Sequence, residues 1–232
     1  MHGKDRGREA EDPHEAEKRA AAEEAVAEVV AVARDGRARV GLGTGSTARW
    51  FVRALARREL DATCVATSPD TERLARDLGL RVDPFEELDR LDVAVDGADQ
   101  VAPDLWLVKG GGGAHTREKV VAAAAERFVV IVSSDKLVDR LGPPVPVEVL
   151  RYGLAATLRR LSWLGRVELR GGPPTPDGNP VADLWVPSFD PLELARTLDA
   201  IPGVVGHGLF PRELVDVVLV GRPDGTVERL TR

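Results

Sequence analysis

Residues 38–47 read Ala-Arg-Val-Gly-Leu-Gly-Thr-Gly-Ser-Thr, and the rest of the fold builds outward from them. Ala38 to Leu42 has the length and apolar character of a short buried strand, and Gly43 to Ser46 forms a tight loop. Thr47 to Arg58 then sets Ala48, Phe51, Val52 and Leu55 on one face of a helix. A strand, a glycine-rich loop and a helix in this order make one unit of an α/β sheet.

Upstream, Glu15 to Arg34 is Ala-rich and helical in composition, and Asp35-Gly36 ends it. Residues 1–14 mix charges with Gly3, Gly7 and Pro13 and predict a mobile tail. Downstream the grammar repeats. Ala62 to Thr67 reads as a strand, Ser68-Pro69 as a cap with proline in the first turn, and Asp70 to Leu78 as a helix stopped by Gly79. Leu91 to Val95 and Phe128 to Val132 are further strand-length apolar runs. Strands alternating with helices predict a mostly parallel α/β sheet with helices on both faces.

After about residue 145 the texture changes, beginning with Pro143, Pro144 and Pro146. Tyr152 to Leu164 is helix-like, Arg166 to Arg170 and Val181 to Val186 are strand candidates around a Pro/Gly-rich turn, and Pro191 to Leu198 is helical. Val215 to Val220 returns as a buried strand of the first sheet. The expected organisation is a larger domain of residues 15–145 and 215–232, with a smaller α+β domain of residues 146–214 inserted near its end.

With 232 residues and 43% hydrophobic content the chain buries a substantial core. No run approaches the about 18 apolar residues of a membrane span, and the charged N-terminus lacks an apolar signal core, so a cytoplasmic protein is expected. The net charge of −6 offers no general footprint for nucleic acid. The single cysteine, Cys64, lies in an apolar run and reads as a buried structural thiol.

Chemistry concentrates in four loops, each expected to follow a strand, where open parallel sheets collect ligands. In the first, Gly43, Gly45 and the hydroxyls of Thr44, Ser46 and Thr47 meet a helix N-terminus, an arrangement suited to a phosphate. A dinucleotide fingerprint would need glycine at position 46, and a P-loop would need Gly-Lys-Ser/Thr. The second, Asp96-Gly97-Ala98-Asp99, offers two carboxylates for moving hydroxyl protons. No third metal ligand stands at a recognisable spacing, and Gln100 follows.

The third loop runs Lys109-Gly110-Gly111-Gly112-Gly113-Ala114 into Thr116-Arg117-Glu118-Lys119. Consecutive glycines are costly to order, so such a run points to backbone passing close to a ligand. Lys109 suits developing negative charge and Glu118 suits a carboxylate base. The helix dipole by itself would lower the acidity constant of Glu118, so burial has to offset it. The fourth loop, Ser133-Ser134-Asp135-Lys136, brings an ammonium to the same rim. A phosphate cradle, carboxylates and lysines, without a hydride carrier, nucleophilic triad or metal cage, fit proton shuffling on a sugar phosphate with no cofactor.

Gly-x-Gly-Thr-Gly-Ser-Thr, Asp-Gly-Ala-Asp and Lys-Gly-Gly-Gly-Gly-Ala-x-x-Arg-Glu-Lys, in this order and spacing, resemble the A-type ribose-5-phosphate isomerases. The resemblance continues through Pro146-Val147-Glu148-Val149, Asp177-Gly178-Asn179, Ile201 to Val205, Gly208-Leu209-Phe210 and Val215 to Gly221. It implies a Rossmann-like domain with a ferredoxin-like smaller one, in a homodimer or homotetramer that interconverts ribose 5-phosphate and ribulose 5-phosphate in the pentose phosphate pathway. It also implies Glu118 as proton acceptor, working with Asp96, Asp99 and Lys109. Thr44, Gly45, Ser46, Thr47, Asp96, Gly97, Ala98, Asp99, Lys109, Gly110, Gly111, Gly112 and Lys136 become the substrate-contacting positions. Within this resemblance Asp96 is the expected ring-opening aspartate.

Departures from the family pattern are Gln100, where glutamate is usual, His115, where an aliphatic residue is common, and His207, in a segment that varies. The basic helix residue that some relatives direct at phosphate is Lys18 or Arg19. Two rivals stand beside this reading. A sugar-phosphate deaminase or lactonase would need a catalytic histidine near the strand ends, for which His115 is the candidate. A non-catalytic sugar-phosphate sensor could dispense with Glu118.

Overall fold

The computed structural model describes residues 13–232. The tail expected over residues 1–14 lies, apart from Pro13 and His14, outside the described residues. Helix α1 (Glu15–Val32) follows directly and buries Ala21, Ala22, Ala25, Val26 and Val29 along one side. Small side chains at i, i+4 and i+8 let the helix lie close on the sheet. Asp35 and Gly36, at φ 52° and 73°, then reverse the chain into β1 (Arg37–Leu42). Two successive left-handed residues are what a tight two-residue turn demands.

Helices α2 (Ser46–Ala56) and α3 (Pro69–Asp77) and strands β2 (Asp61–Ala66) and β3 (Arg81–Val82) complete the first half. Ser68 caps α3 by accepting the Thr71 amide, with Pro69 in the first turn, and Gly79 at φ 83° ends the segment as the sequence predicts. Strands β4 (Val93–Asp96), β5 (Gln100–Val101) and β6 (Leu107–Val108) precede helix α4 (His115–Ala124) and β7 (Phe128–Ser133).

The chain then forms β8 (Val145–Val149), α5 (Leu154–Leu161), β9 (Arg166–Leu169), β10 (Val181–Trp185), α6 (Pro191–Asp199) and β11 (Val204–His207). These pair as an antiparallel sheet in the order β11-β8-β10-β9, the ferredoxin-like βαββαβ arrangement. Short β12 (Leu209–Phe210) joins β6 and β5 in a three-stranded sheet, and β13 (Val217–Gly221) and β14 (Val227–Thr231) close the chain.

The large sheet has the order β14-β13-β7-β4-β1-β2-β3, parallel except for the final hairpin partner β14. Its central strands β4, β7 and β13 are wholly buried, as strands covered on both faces must be. Strand order runs outward from β1 through β2 and β3 on one side, and from β4 through β7 and β13 on the other. The crevice between the carboxyl ends of β1 and β4 is therefore the topological switch point, where doubly wound sheets bind ligands. Cys64 on β2 is buried, and burial, with Asp83 nearby, pushes its thiol up to about 12.

One expectation needs correction. The glycine run at 110–113 does not follow a strand of the parallel sheet. It follows β6 of the three-stranded antiparallel sheet, a strand of two residues and too short to register as a hydrophobic period.

Candidate active site

At the switch point Gly43 ends the pairing of β1 with β4 by donating its amide to the Val95 carbonyl at 2.9 Å. A Cβ on Gly43 would stand 2.0 Å from Asp96 Oδ1, so only glycine lets this carboxylate pass. Asp96 Oδ1 in turn accepts the Thr44 amide at 3.1 Å and the Gly97 amide at 2.7 Å. The first loop is braced from behind: Thr44 and Thr67 share a hydroxyl hydrogen bond of 2.7 Å, and the Thr71 hydroxyl donates to the Gly43 carbonyl at 2.9 Å. Helix α2 then starts at Ser46 with its amides turned toward the crevice, where an anion is favoured.

Beneath this loop lies a buried charge cluster. Lys109 Nζ is 2.9 Å from Asp96 Oδ2 and 3.1 Å from Glu118 Oε2, and it also donates to the Gly97 carbonyl. All three side chains are at most 4% exposed. The topology makes this possible, because Asp96 ends β4, Lys109 follows β6, and Glu118 lies in the first turn of α4. The ammonium also stands 5.3 Å from the centre of the Phe210 ring on β12. Among the described residues Glu118 Oε2, although close to Lys109, has no hydrogen-bond partner of good geometry.

Two carboxylates and one ammonium out of water cannot all be charged cheaply. Burial, and then the Asp96 carboxylate, push Glu118 up to about 8 against the opposing pull of Lys109. Asp96 is also raised by burial, with Lys109 opposing. Burial alone would lower Lys109, but the two carboxylates outweigh it and hold the ammonium charged. The helix dipole considered from sequence is thus overridden by desolvation, and Glu118 becomes the better base for it.

A cavity of about 170 Å³ opens above the cluster. Of the positions expected to touch substrate, Thr44 to Thr47, Gly97 to Asp99, Lys109 to Gly112 and Lys136 line it together, with Glu118 at its floor. Asp96 does not line it. It sits behind Lys109 and is 3% exposed, whereas Asp99 faces the cavity with its Oδ2 held by the Gly111 amide at 2.8 Å.

Of the two neighbours Lys18 and Arg19, Lys18 lines the cavity. Glu17 is buried and accepts the Ser134 amide at 2.7 Å, pinning the first turn of α1 against the fourth loop and bringing Lys18 beside the same opening as Lys136. Arg19 points elsewhere, its guanidinium 5.8 Å from the Trp50 ring centre. The signal available in sequence was only the position of a lysine three residues past the start of an Ala-rich helix, which does not say which face meets the sheet ends.

His115 does not reach the cavity. It is fully buried, and burial with Lys119 nearby pushes it down to about 3, so it stays neutral. Gln100 has a mechanical use, donating to the Gly142 carbonyl at 3.0 Å and accepting the Gly142 amide at 2.8 Å. An amide makes both bonds where a carboxylate could only accept.

The model of the family ribose 5-phosphate isomerase A (phosphoriboisomerase A) matches residues 63–225. The ribose-5-phosphate isomerase A of Rhodopseudomonas palustris (strain HaA2) is 47% identical over 231 residues, 91% of this chain and 97% of its own. Among solved structures, ribose 5-phosphate isomerase A from Methanocaldococcus jannaschii superposes with a TM-score of 0.84 at 39% identity, covering 93% of this chain and 98% of that one. A D-ribose-5-phosphate isomerase in complex with phospho-erythronic acid gives 0.84 at 38% identity, covering 93% and 97%. Relatives this similar, matched over nearly their whole length by a chain with this switch-point site, show that the chain belongs to the ribose 5-phosphate isomerase A family.

Proposed function

We propose that this chain interconverts ribose 5-phosphate and ribulose 5-phosphate by proton transfer through a cis-enediolate. The observation that carries the reading is the Glu118 carboxylate, raised in basicity by burial, 3.1 Å from the Lys109 ammonium on the floor of a cavity rimmed by anion-binding loops. Thr44 to Thr47 with the α2 amides, helped by Lys18 and Lys136, hold the phosphate at one end. Glu118 removes the C2 proton of the open-chain aldose while negative charge gathers on O1, where Lys109 stabilises it. The hydroxyl proton on O2 passes to O1, and Glu118 returns its proton to C1, completing the ketose.

Asp99, facing the cavity, is placed to assist ring opening by exchanging a hydroxyl proton. Asp96 serves by anchoring Lys109 and the Thr44 amide, a change from the role expected of it in the sequence. The family also supports a homodimer or homotetramer in the cytoplasm, which light scattering on the purified protein and cell fractionation would check.

The direct test is to mix the purified protein with ribose 5-phosphate and follow ribulose 5-phosphate, with Glu118→Gln alongside. Turnover by the wild type with a loss of roughly 10²–10⁴-fold in the variant is expected, the usual worth of acid-base assistance. A variant as fast as the wild type would remove Glu118 from the proposal.

A further inference from the structure

The glycine loop is not held by its own strand alone. Arg170, which follows β9 of the four-stranded sheet, donates from Nη1 to the Gly110 carbonyl at 2.8 Å and to the Gly111 carbonyl at 3.3 Å. Its other face is locked by Asp183 on β10, with Nε to Oδ2 at 3.0 Å and Nη2 to Oδ1 at 2.5 Å. Arginine's rigid fork thus spans two jobs, a bidentate grip on a carboxylate and a grip on backbone oxygens.

The Gly110 carbonyl belongs to the same peptide unit as the Gly111 amide, and that amide holds Asp99 Oδ2 at 2.8 Å. Arg170 at one end of the peptide plane and Asp99 at the other fix its rotation. This segment has little rigidity of its own. Gly110 sits at φ 110°, and glycines on both sides leave the peptide free to turn over. Nor can bulk be added to stiffen it, since a Cβ on Gly110 would meet His115 at 2.7 Å and one on Gly111 would meet Asp99 at 2.8 Å.

We infer that Arg170 is a positioning residue for the reaction, acting through the Gly110–Gly111 peptide to aim the Gly111 amide at Asp99 and so to place that carboxylate on the cavity wall. The smaller sheet therefore contributes to catalysis without touching substrate. Its positive charge also polarises the peptide it grips, strengthening the amide as a donor. The kinetic part of this inference rests on the proposed isomerase reading; the structural part does not.

The experiment compares wild type, Arg170→Met, Arg170→Lys, Asp99→Asn and the Arg170→Met/Asp99→Asn double variant. Hydrogen exchange of the 110–113 segment, read by mass spectrometry, reports on the loop whether or not the protein turns over substrate. Faster exchange confined to that segment in Arg170→Met, with partial recovery in Arg170→Lys, is expected. In kinetics, Arg170→Met should lower kcat by roughly ten- to hundredfold, the scale of a misplaced group, with a smaller change in KM.

Because Arg170 acts through Asp99, its removal should cost little more once Asp99 is already asparagine. Losses that multiply in the double variant, or unchanged exchange at 110–113, would overturn the inference. If the wild type itself shows no turnover, the isomerase reading fails, and the exchange measurement alone decides whether Arg170 holds the loop. Should Arg170→Met fail to fold, Asp183→Asn and Arg170→Lys weaken the same grip while keeping the cation.

Discussion

Glu118 Oε2 lies 3.1 Å from Lys109 Nζ, both side chains 3% exposed, with Asp96 on the far side of the ammonium at 2.9 Å. One cation faces two anions in a dry site, so the cluster has one negative charge more than it can neutralise. Burial first, and that imbalance after it, raise the proton affinity of Glu118.

The first consequence is a pH profile. Glu118 must be ionised to act as a base, and burial with Asp96 nearby holds it up at about 8. The acid limb of kcat/KM should therefore bend near pH 8 and fall about tenfold per unit below it. Asp96→Asn removes the anion that raises Glu118 and leaves Lys109 to pair with it alone. In the activity that remains, the bend should move to lower pH; a bend that stays put would separate Glu118 from Asp96. Stability follows the same proton. A carboxyl raised in the folded state contributes stability at acid pH that is lost as pH rises from about 4.5 toward about 8. Melting of Glu118→Gln should depend less on pH across that window than melting of the wild type.

Lys109→Met should be severe for both fold and rate. It leaves two carboxylates buried together with no cation, and breaking one side of a buried pair costs about 3–5 kcal/mol. Chemical denaturation at neutral pH should show a loss of that size, shrinking in acid as the carboxyls take up protons.

Gly43→Ala tests the close approach at the switch point. The added methyl would sit 2.0 Å from Asp96 Oδ1, so the loop or the carboxylate must give way. Overpacking of this kind costs about 1–3 kcal/mol. Activity should fall further than stability alone explains, because Asp96 carries both Lys109 and the Thr44 amide. Gly36→Ala is a useful contrast: its methyl would meet none of the described residues within 4 Å, and the positive φ of 73° is what penalises it.

Lys18→Met and Lys136→Met should raise KM for the phosphorylated sugar more than they lower kcat, since both bring an ammonium to the cavity lined by the anion-binding loop of Thr44 to Thr47. Added salt should narrow the difference between wild type and variants, as screening weakens the attraction of a dianionic phosphate. A pure kcat effect in either variant would place that lysine with the reacting atoms instead.

Much of this protein was legible in the chain itself. The apolar runs at 38–42, 91–95 and 128–132, punctuated by Gly79, Ser68-Pro69 and the glycine loops, determine a parallel α/β sheet. Backbone geometry and burial dictate those patterns locally. The three motifs at 41–47, 96–99 and 109–119 mark the site for the same reason, since each needs residue types that make little sense away from a ligand. The turn before β14 could have been found too, because Pro223-Asp224-Gly225 is a strong turn signal directly after the apolar β13, although Val227 to Thr231 itself carries no period-two alternation.

Only the tertiary structure decided the rest. The strands carrying Val101, Leu107 and Leu209 are two residues long, below any periodicity, and exist because neighbouring loops pair with them. The basicity of Glu118 reverses what its helix position alone would set, because desolvation and a second carboxylate arrive from distant parts of the chain. The reach of Lys18 depends on Glu17 docking to Ser134, more than a hundred residues away. The hold of Arg170 on Gly110 crosses between two sheets. Local sequence determines which atoms are available. Burial, charge balance and the rotation of a single peptide are properties of the neighbours that folding brings together.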